Sequence, residues 1–137
     1  MTGNLAVLPM HDASRGFEGI PQHTRVVIVE DDQTTVELAQ EQLAAAGVKE
    51  FTICLDARQA MGVIESSRPD VVLLDLLMPE VSGLDILQEI RSRPDLLHLP
   101  VIILTAKNDN ATKITALEMG ASDFLSKPID FVELAPR

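Results

Sequence analysis

Five polar residues stand where apolar runs end. Glu30 and Asp31 follow Val26-Val27-Ile28-Val29, and Asp75 closes Val71-Val72-Leu73-Leu74. Thr105 follows Val101-Ile102-Ile103-Leu104, and Lys127, with Pro128 behind it, follows a weaker run around Phe124-Leu125. Short apolar runs rich in β-branched residues are the pattern of strands buried on both faces of a parallel sheet. Open α/β sheets gather their chemistry in the crevice beyond the carboxyl ends of such strands. If these strands are neighbours, three or four carboxylates, a hydroxyl and an ammonium converge at one edge. Those groups suit a divalent cation and a phosphoryl group.

The charges decide how such a cluster can exist. Two unit charges about 4 Å apart repel by roughly 1 kcal/mol in water and roughly 4 kcal/mol at an effective dielectric near 20. Glu30, Asp31 and Asp75 without a counter-charge would raise their own pKa values or splay apart. A hard cation with oxygen ligands resolves the conflict, and Mg2+ suits one or two carboxylates plus waters and a phosphoryl oxygen. Lys127 offers a second, fixed positive charge, and Thr105 a hydroxyl donor. Asp75 can then act as a nucleophile and form an aspartyl phosphate. Phosphoryl transfer asks little more than alignment and charge neutralisation. Taken singly, each part has a plainer use: Asp32 as a helix cap, Thr105 as a cap or loop residue, Lys127 as a solvated charge. Their joint presence, in this order, favours chemistry.

The elements that must position these groups alternate along the chain. Strand-like runs lie near 25–29, 50–55, 70–74, 100–104 and 122–126, with helix-like segments between them. Val36, Ala39, Leu43 and Ala46 recur at helical spacing before Gly47, a stop signal. A second segment, Ala57 to Ser67, ends ahead of Arg68-Pro69, because proline disfavours helix at the residue before it. The third starts near Ser82-Gly83 with Leu84, Leu87 and Ile90 on one face, and stops before Pro94. The fourth carries Ile114, Leu117 and Ala121 as its apolar set, with Gly120 near its end. Such alternation means βαβ units, a parallel sheet and helices on both faces. Residues 1–24 mix Gly, Pro, His and Asp without periodicity and read as a poorly ordered leader. A fifth helix should begin near Asp130, but the chain stops at Arg137 after about two turns, which reads as a fragment of a longer protein.

Composition narrows the classes. The 137 residues suffice for one domain with a sizeable core, and 46% are hydrophobic. A net charge of −10 argues against direct nucleic-acid binding by this segment, which needs clustered Lys and Arg. One cysteine, Cys54, permits neither a disulfide framework nor a thiolate metal site, and reads as a small buried hydrophobe. No apolar stretch reaches the ~18 residues that span a bilayer, and the start lacks a signal-peptide pattern. No membrane partner and a cytoplasmic location are expected.

From Arg25 to the end, the chain resembles the receiver domain of two-component response regulators. The resemblance rests on the acidic pair Glu30-Asp31, Asp75 with Met78-Pro79 and Gly83, Thr105-Ala106, and Lys127-Pro128. It implies an α/β, flavodoxin-like three-layer sandwich with a five-stranded parallel sheet of order 2-1-3-4-5 and a truncated last helix, spanning 25–137. It also implies a signalling switch rather than an enzyme in the ordinary sense. A partner sensor histidine kinase or phosphotransfer protein would donate a phosphoryl group from phosphohistidine to Asp75. By the same resemblance Asp31 looks like a direct Mg2+ ligand (Mn2+ as a substitute), Glu30 a ligand through water, and the Leu77 backbone carbonyl a further ligand. Leu77, Thr105, Ala106 and Lys127 would border the phosphoryl group. Thr105 and Phe124 would form the switch, and Phe124 must work by ring packing because it has no hydroxyl.

Occupancy of Asp75 would then bias the surface of the fourth helix, fifth strand and fifth helix toward a partner, a second copy in a homodimer, or an attached output domain. Leu77 and Lys107 match positions bordering the path of attacking water. His11, His23 and His98 match no motif and read as surface residues. Two rivals remain: a haloacid-dehalogenase-type phosphatase, which needs an acid where Leu77 stands, and a degenerate receiver serving only for interaction.

Overall fold

A computed structural model describes residues 23–78, 80–106 and 108–129. The leader before residue 23, the fifth helix expected near Asp130, Pro79 and Lys107 lie outside the described residues. The order is β1 (Arg25–Val29), α1 (Gln33–Ala45), β2 (Glu50–Cys54), α2 (Ala60–Ser67), β3 (Val71–Asp75), α3 (Gly83–Ser92), β4 (Val101–Thr105), α4 (Asn110–Glu118) and β5 (Asp123–Ser126). One-turn 3-10 helices at Ala57–Gln59 and Pro94–Leu96 precede α2 and β4. The segment expected as one helix from Ala57 therefore starts as a 3-10 turn, with Asp56 capping the Arg58 N–H.

All strand pairs are parallel, in the order β2-β1-β3-β4-β5. This is the flavodoxin-like fold. Alternate residues face opposite sides of a pleated strand, so each face of the sheet needs its own cover. Val26, Ile28, Leu73, Ile102 and Leu125 pack on one face with Val36, Ala39 and Leu43 of α1. Val27, Val29, Val72, Leu74 and Ile103 pack on the other with Ile64 of α2, Leu87 and Ile90 of α3, and Ala116 of α4. Central β3 and β4 are buried at every position, which explains their unbroken apolar runs. Cys54 lies in the core. Among the described residues no helix is long and apolar enough to cross a membrane.

The helix ends follow local rules. Asp32 caps α1 by accepting from the Thr35 N–H, and Gly47 turns the chain out of that helix with φ 106°. Ser82 caps α3 through the Leu84 N–H. Arg68 terminates α2 in a left-handed conformation before Pro69.

The expected packing face of the fourth helix is corrected. Ile114 is 57% exposed and Leu117 is also exposed, whereas Lys113 and Ala116 are buried. Ala121 is buried but lies past the helix end. The stripe three residues apart that meets the sheet is Lys113–Ala116, because β5 offers a polar partner to the lysine.

Candidate functional site

Strand order places the polar ends side by side. β1, β3, β4 and β5 are consecutive neighbours in the sheet, so Glu30-Asp31, Asp75, Thr105 and Lys127 stand in a row along its carboxyl edge. β2 sits outside that row and contributes no site residue. Register tightens the arrangement, with Asp75 opposite Leu104 and Thr105 opposite Ser126. The Lys127 N–H donates to the Thr105 carbonyl at 2.9 Å, which carries the β4–β5 pairing into the loop.

Asp75 is 1% exposed and Glu30 is 0% exposed, whereas Asp31 is open to solvent. A carboxylate oxygen from each of the three lies within 4.8 Å of the others. The Lys127 ammonium sits 3.0 Å from Glu30 Oε1 and 3.1 Å from Asp75 Oδ1. The Leu77 N–H donates to Asp75 Oδ1 at 3.3 Å, and the Asp32 N–H to Glu30 Oε2 at 3.1 Å. Asp75 Oδ2 and Thr105 Oγ1 are buried and find no hydrogen-bond partner among the described residues. Buried polar atoms left this way normally cost about 1–3 kcal/mol each. They are therefore expected to meet a ligand. Three crowded carboxylates with one orphaned oxygen fit a hard cation, and an orphaned hydroxyl beside a lysine fits an anion.

The electrostatics agree with the geometry. Burial first, then the hydrogen bond and the charge of Asp75, push the Glu30 carboxyl up to about 7, against the Asp32 N–H and Lys127, which lower it. One ammonium does not neutralise the cluster. Lys127 is pulled down by burial, but the hydrogen bond to Glu30 and the Asp75 and Glu30 charges outweigh that and raise it above its ordinary value. Neighbouring Asp32 goes the other way, because the Thr35 hydroxyl and N–H hold its carboxylate below the usual range. Asp32 is thus committed to capping, as its place in the sequence suggests.

Gly83, singled out in the sequence as part of a pattern, has a steric reason. A Cβ there would lie 2.3 Å from the Asp75 carbonyl oxygen and 2.6 Å from Leu76 Cα. α3 can begin beneath the Asp75 loop only because this residue has no side chain. Ala106 is exposed at the rim, Leu77 is 64% exposed beside Asp75, and Phe124 is half-buried on β5. His23 and His98 are exposed as expected. Sequence reading missed Lys113, buried behind the site. Its place three residues before Ala116, on the stripe next to that of Ile114, was the available signal.

A parallel sheet of this order with an acidic crevice at the β1–β3 switch point defines the class of receiver domains, signalling switches of two-component systems. The sequence model of the response regulator receiver domain matches residues 26–137, and the chain belongs to that family. It is 35% identical over 113 residues to response regulator MprA of Mycolicibacterium vanbaalenii, covering 82% of this chain and 48% of that protein. The chain thus spans about half the length of that relative. A solved structure from Chloroflexus aurantiacus, described as a response regulator, superposes with a TM-score of 0.77 at 33% identity, covering 84% of this chain and 93% of the other. The Mn2+-bound form of response regulator Rcp1 superposes with a TM-score of 0.71 at 27% identity, covering 82% and 90%.

Proposed function

We propose that this receiver is a phosphoacceptor switch that takes a phosphoryl group on Asp75 from the phosphohistidine of a sensor kinase or phosphotransfer protein. The observation that carries the reading is the pair of orphaned buried oxygens, Asp75 Oδ2 and Thr105 Oγ1, beside a lysine that already contacts Asp75. A Mg2+ ion, held by Asp31 and Asp75, by Glu30 through water and by the Leu77 carbonyl, would neutralise the carboxylates and the incoming phosphoryl oxygens. That Rcp1 was solved with Mn2+ supports a divalent ion, with Mn2+ as a substitute.

In the transfer, a carboxylate oxygen of Asp75 forms a bond to phosphorus as the phosphorus–nitrogen bond to the donor imidazole breaks. The bonding pair stays with the imidazole nitrogen. Lys127 holds a phosphoryl oxygen by charge, and the Thr105 hydroxyl and Ala106 N–H donate to others. Thr105 drawn inward, with Phe124 following by ring packing, would bias the face of α4, β5 and the fifth helix expected from the sequence. That face would meet a partner, a second copy or an output domain. Direct contact with nucleic acid or membrane is not part of this role, and the cytoplasm is its setting.

Incubation with acetyl phosphate and Mg2+, followed by intact mass measurement, tests the reading. The chain should gain one base-labile phosphoryl group, and Asp75→Asn should gain none. An unmodified parent chain, or an equally modified Asp75→Asn, would sink it.

A further inference from the structure

Lys113 of α4 is only 9% exposed. Its ammonium donates to Ser126 Oγ at 3.0 Å and lies 4.9 Å from the centroid of the Phe124 ring. A buried ammonium is costly unless its surroundings compensate it, so these contacts are organised rather than incidental. Both partners belong to β5. Ser126 directly precedes Lys127, and Phe124 is the residue whose ring packing the switch needs. Register puts Phe124 opposite Ile103 and Ser126 opposite Thr105, so Phe124, Ser126 and Thr105 share one face of the sheet. One ammonium therefore touches the switch ring and the residue between that ring and the phosphoryl-binding lysine.

We infer that Lys113 is a positioning residue that latches Phe124 and Ser126 in the unphosphorylated arrangement, a cation–π contact serving where an aromatic hydroxyl is absent. The inference rests on the switch reading above and adds to it the contact that sets the resting state. A ligand shifts a two-state equilibrium only through contacts that differ between the states. Phe124 has no hydroxyl with which to hold either state by a hydrogen bond. Its ring is held instead by packing and by the ammonium above its face. When Thr105 is drawn to a phosphoryl oxygen and the ring follows, the ring leaves the ammonium. The latch therefore opposes activation, and α4, which carries Lys113, senses its release. Ile114 and Leu117 on the outer side of α4 are the apolar groups that such a change would reposition.

Beryllofluoride, which adds to an aspartate as a phosphoryl mimic, reads the latch directly when titrated with Mg2+ present. Lys113→Met keeps side-chain length and loses the charge, and should bind the mimic about threefold to thirtyfold more tightly, the range a cation–π contact spans. Lys113→Arg keeps the charge over the ring and should bind as the parent does. In a Phe124→Leu background the Lys113→Met change should alter affinity by less than about twofold. Unchanged affinity in Lys113→Met, or an equal gain with and without the ring, would overturn the latch while leaving the phosphoacceptor reading intact. A parent chain that binds no beryllofluoride would overturn both.

Discussion

In the proposed metal site, the buried carboxyl of Glu30 would make cation binding a proton-linked event with a calculable slope. Its pKa stands at about 7 because burial and the Asp75 carboxylate disfavour the charged form. A cation needs that form, so the proton and the metal compete. With a single proton at about 7, the carboxylate is roughly nine-tenths ionised at pH 8 and roughly one-tenth ionised at pH 6. The apparent Mg2+ dissociation constant should therefore weaken about tenfold between pH 8 and pH 6. Lys127, raised above its ordinary value, stays charged throughout this window and adds no slope. Glu30→Gln preserves shape without the proton, and should flatten the dependence to less than about twofold. With no Trp and no Tyr in the chain, isothermal calorimetry is the suitable assay. The number of protons released per metal, read from buffers of different ionisation enthalpy, gives a second measure.

Metal-free stability has the opposite sense. The carboxyl titrates near 4.5 in the unfolded chain and near 7 in the folded one, so the folded state binds more protons between those values. The contribution of this carboxyl is full below pH 4.5, falls as pH rises through the window, and is gone above it, a change of roughly 3 kcal/mol. Equal Mg2+ affinity at pH 6 and pH 8, or a slope that survives Glu30→Gln, would refute this reasoning.

Two substitutions beside Asp75 separate steric from solvent effects. Gly83→Ala would drive a Cβ into the Asp75 carbonyl and Leu76 Cα, so urea unfolding should show a loss of about 2–3 kcal/mol, with Mg2+ binding weakened as the loop shifts. Wild-type stability in that variant would remove the steric role assigned to the glycine. Leu77→Asn changes a side chain that is 64% exposed, so stability should stay within about 0.5 kcal/mol. Loss of the apolar cover should still let water reach the proposed aspartyl phosphate and shorten its lifetime several-fold, followed by phosphate release. An unchanged rate would mean that Leu77 does not exclude the attacking water.

The residues that disagree with their sequence reading show what propensity and pattern leave open. Strands β1, β3 and β4 are legible because burial on both faces demands an unbroken apolar run, a strong local signal, whereas β5, with Asp123 and Ser126 at its ends, gives a weaker one. Asp32 as a cap and the turns at Gly47 and Arg68 are legible for the same reason, since backbone chemistry within a few residues fixes them. The fourth helix is different. Ile114 and Leu117 form an apolar pair at helical spacing, yet the sheet takes the Lys113–Ala116 stripe instead. Helical periodicity offers both stripes, and only the partner surface chooses. That surface is β5, whose Ser126 hydroxyl and Phe124 ring accommodate an ammonium that an isolated helix would leave in water.

The chain's own order of residue types determined the parallel sheet and which polar groups stand at strand ends, because burial and turn chemistry act over short stretches. The folded packing alone decided the burial of Glu30, the pKa that follows from it and the inward turn of Lys113. Those properties depend on distances between residues remote in the chain, and desolvation and charge coupling exist only once the strands lie side by side.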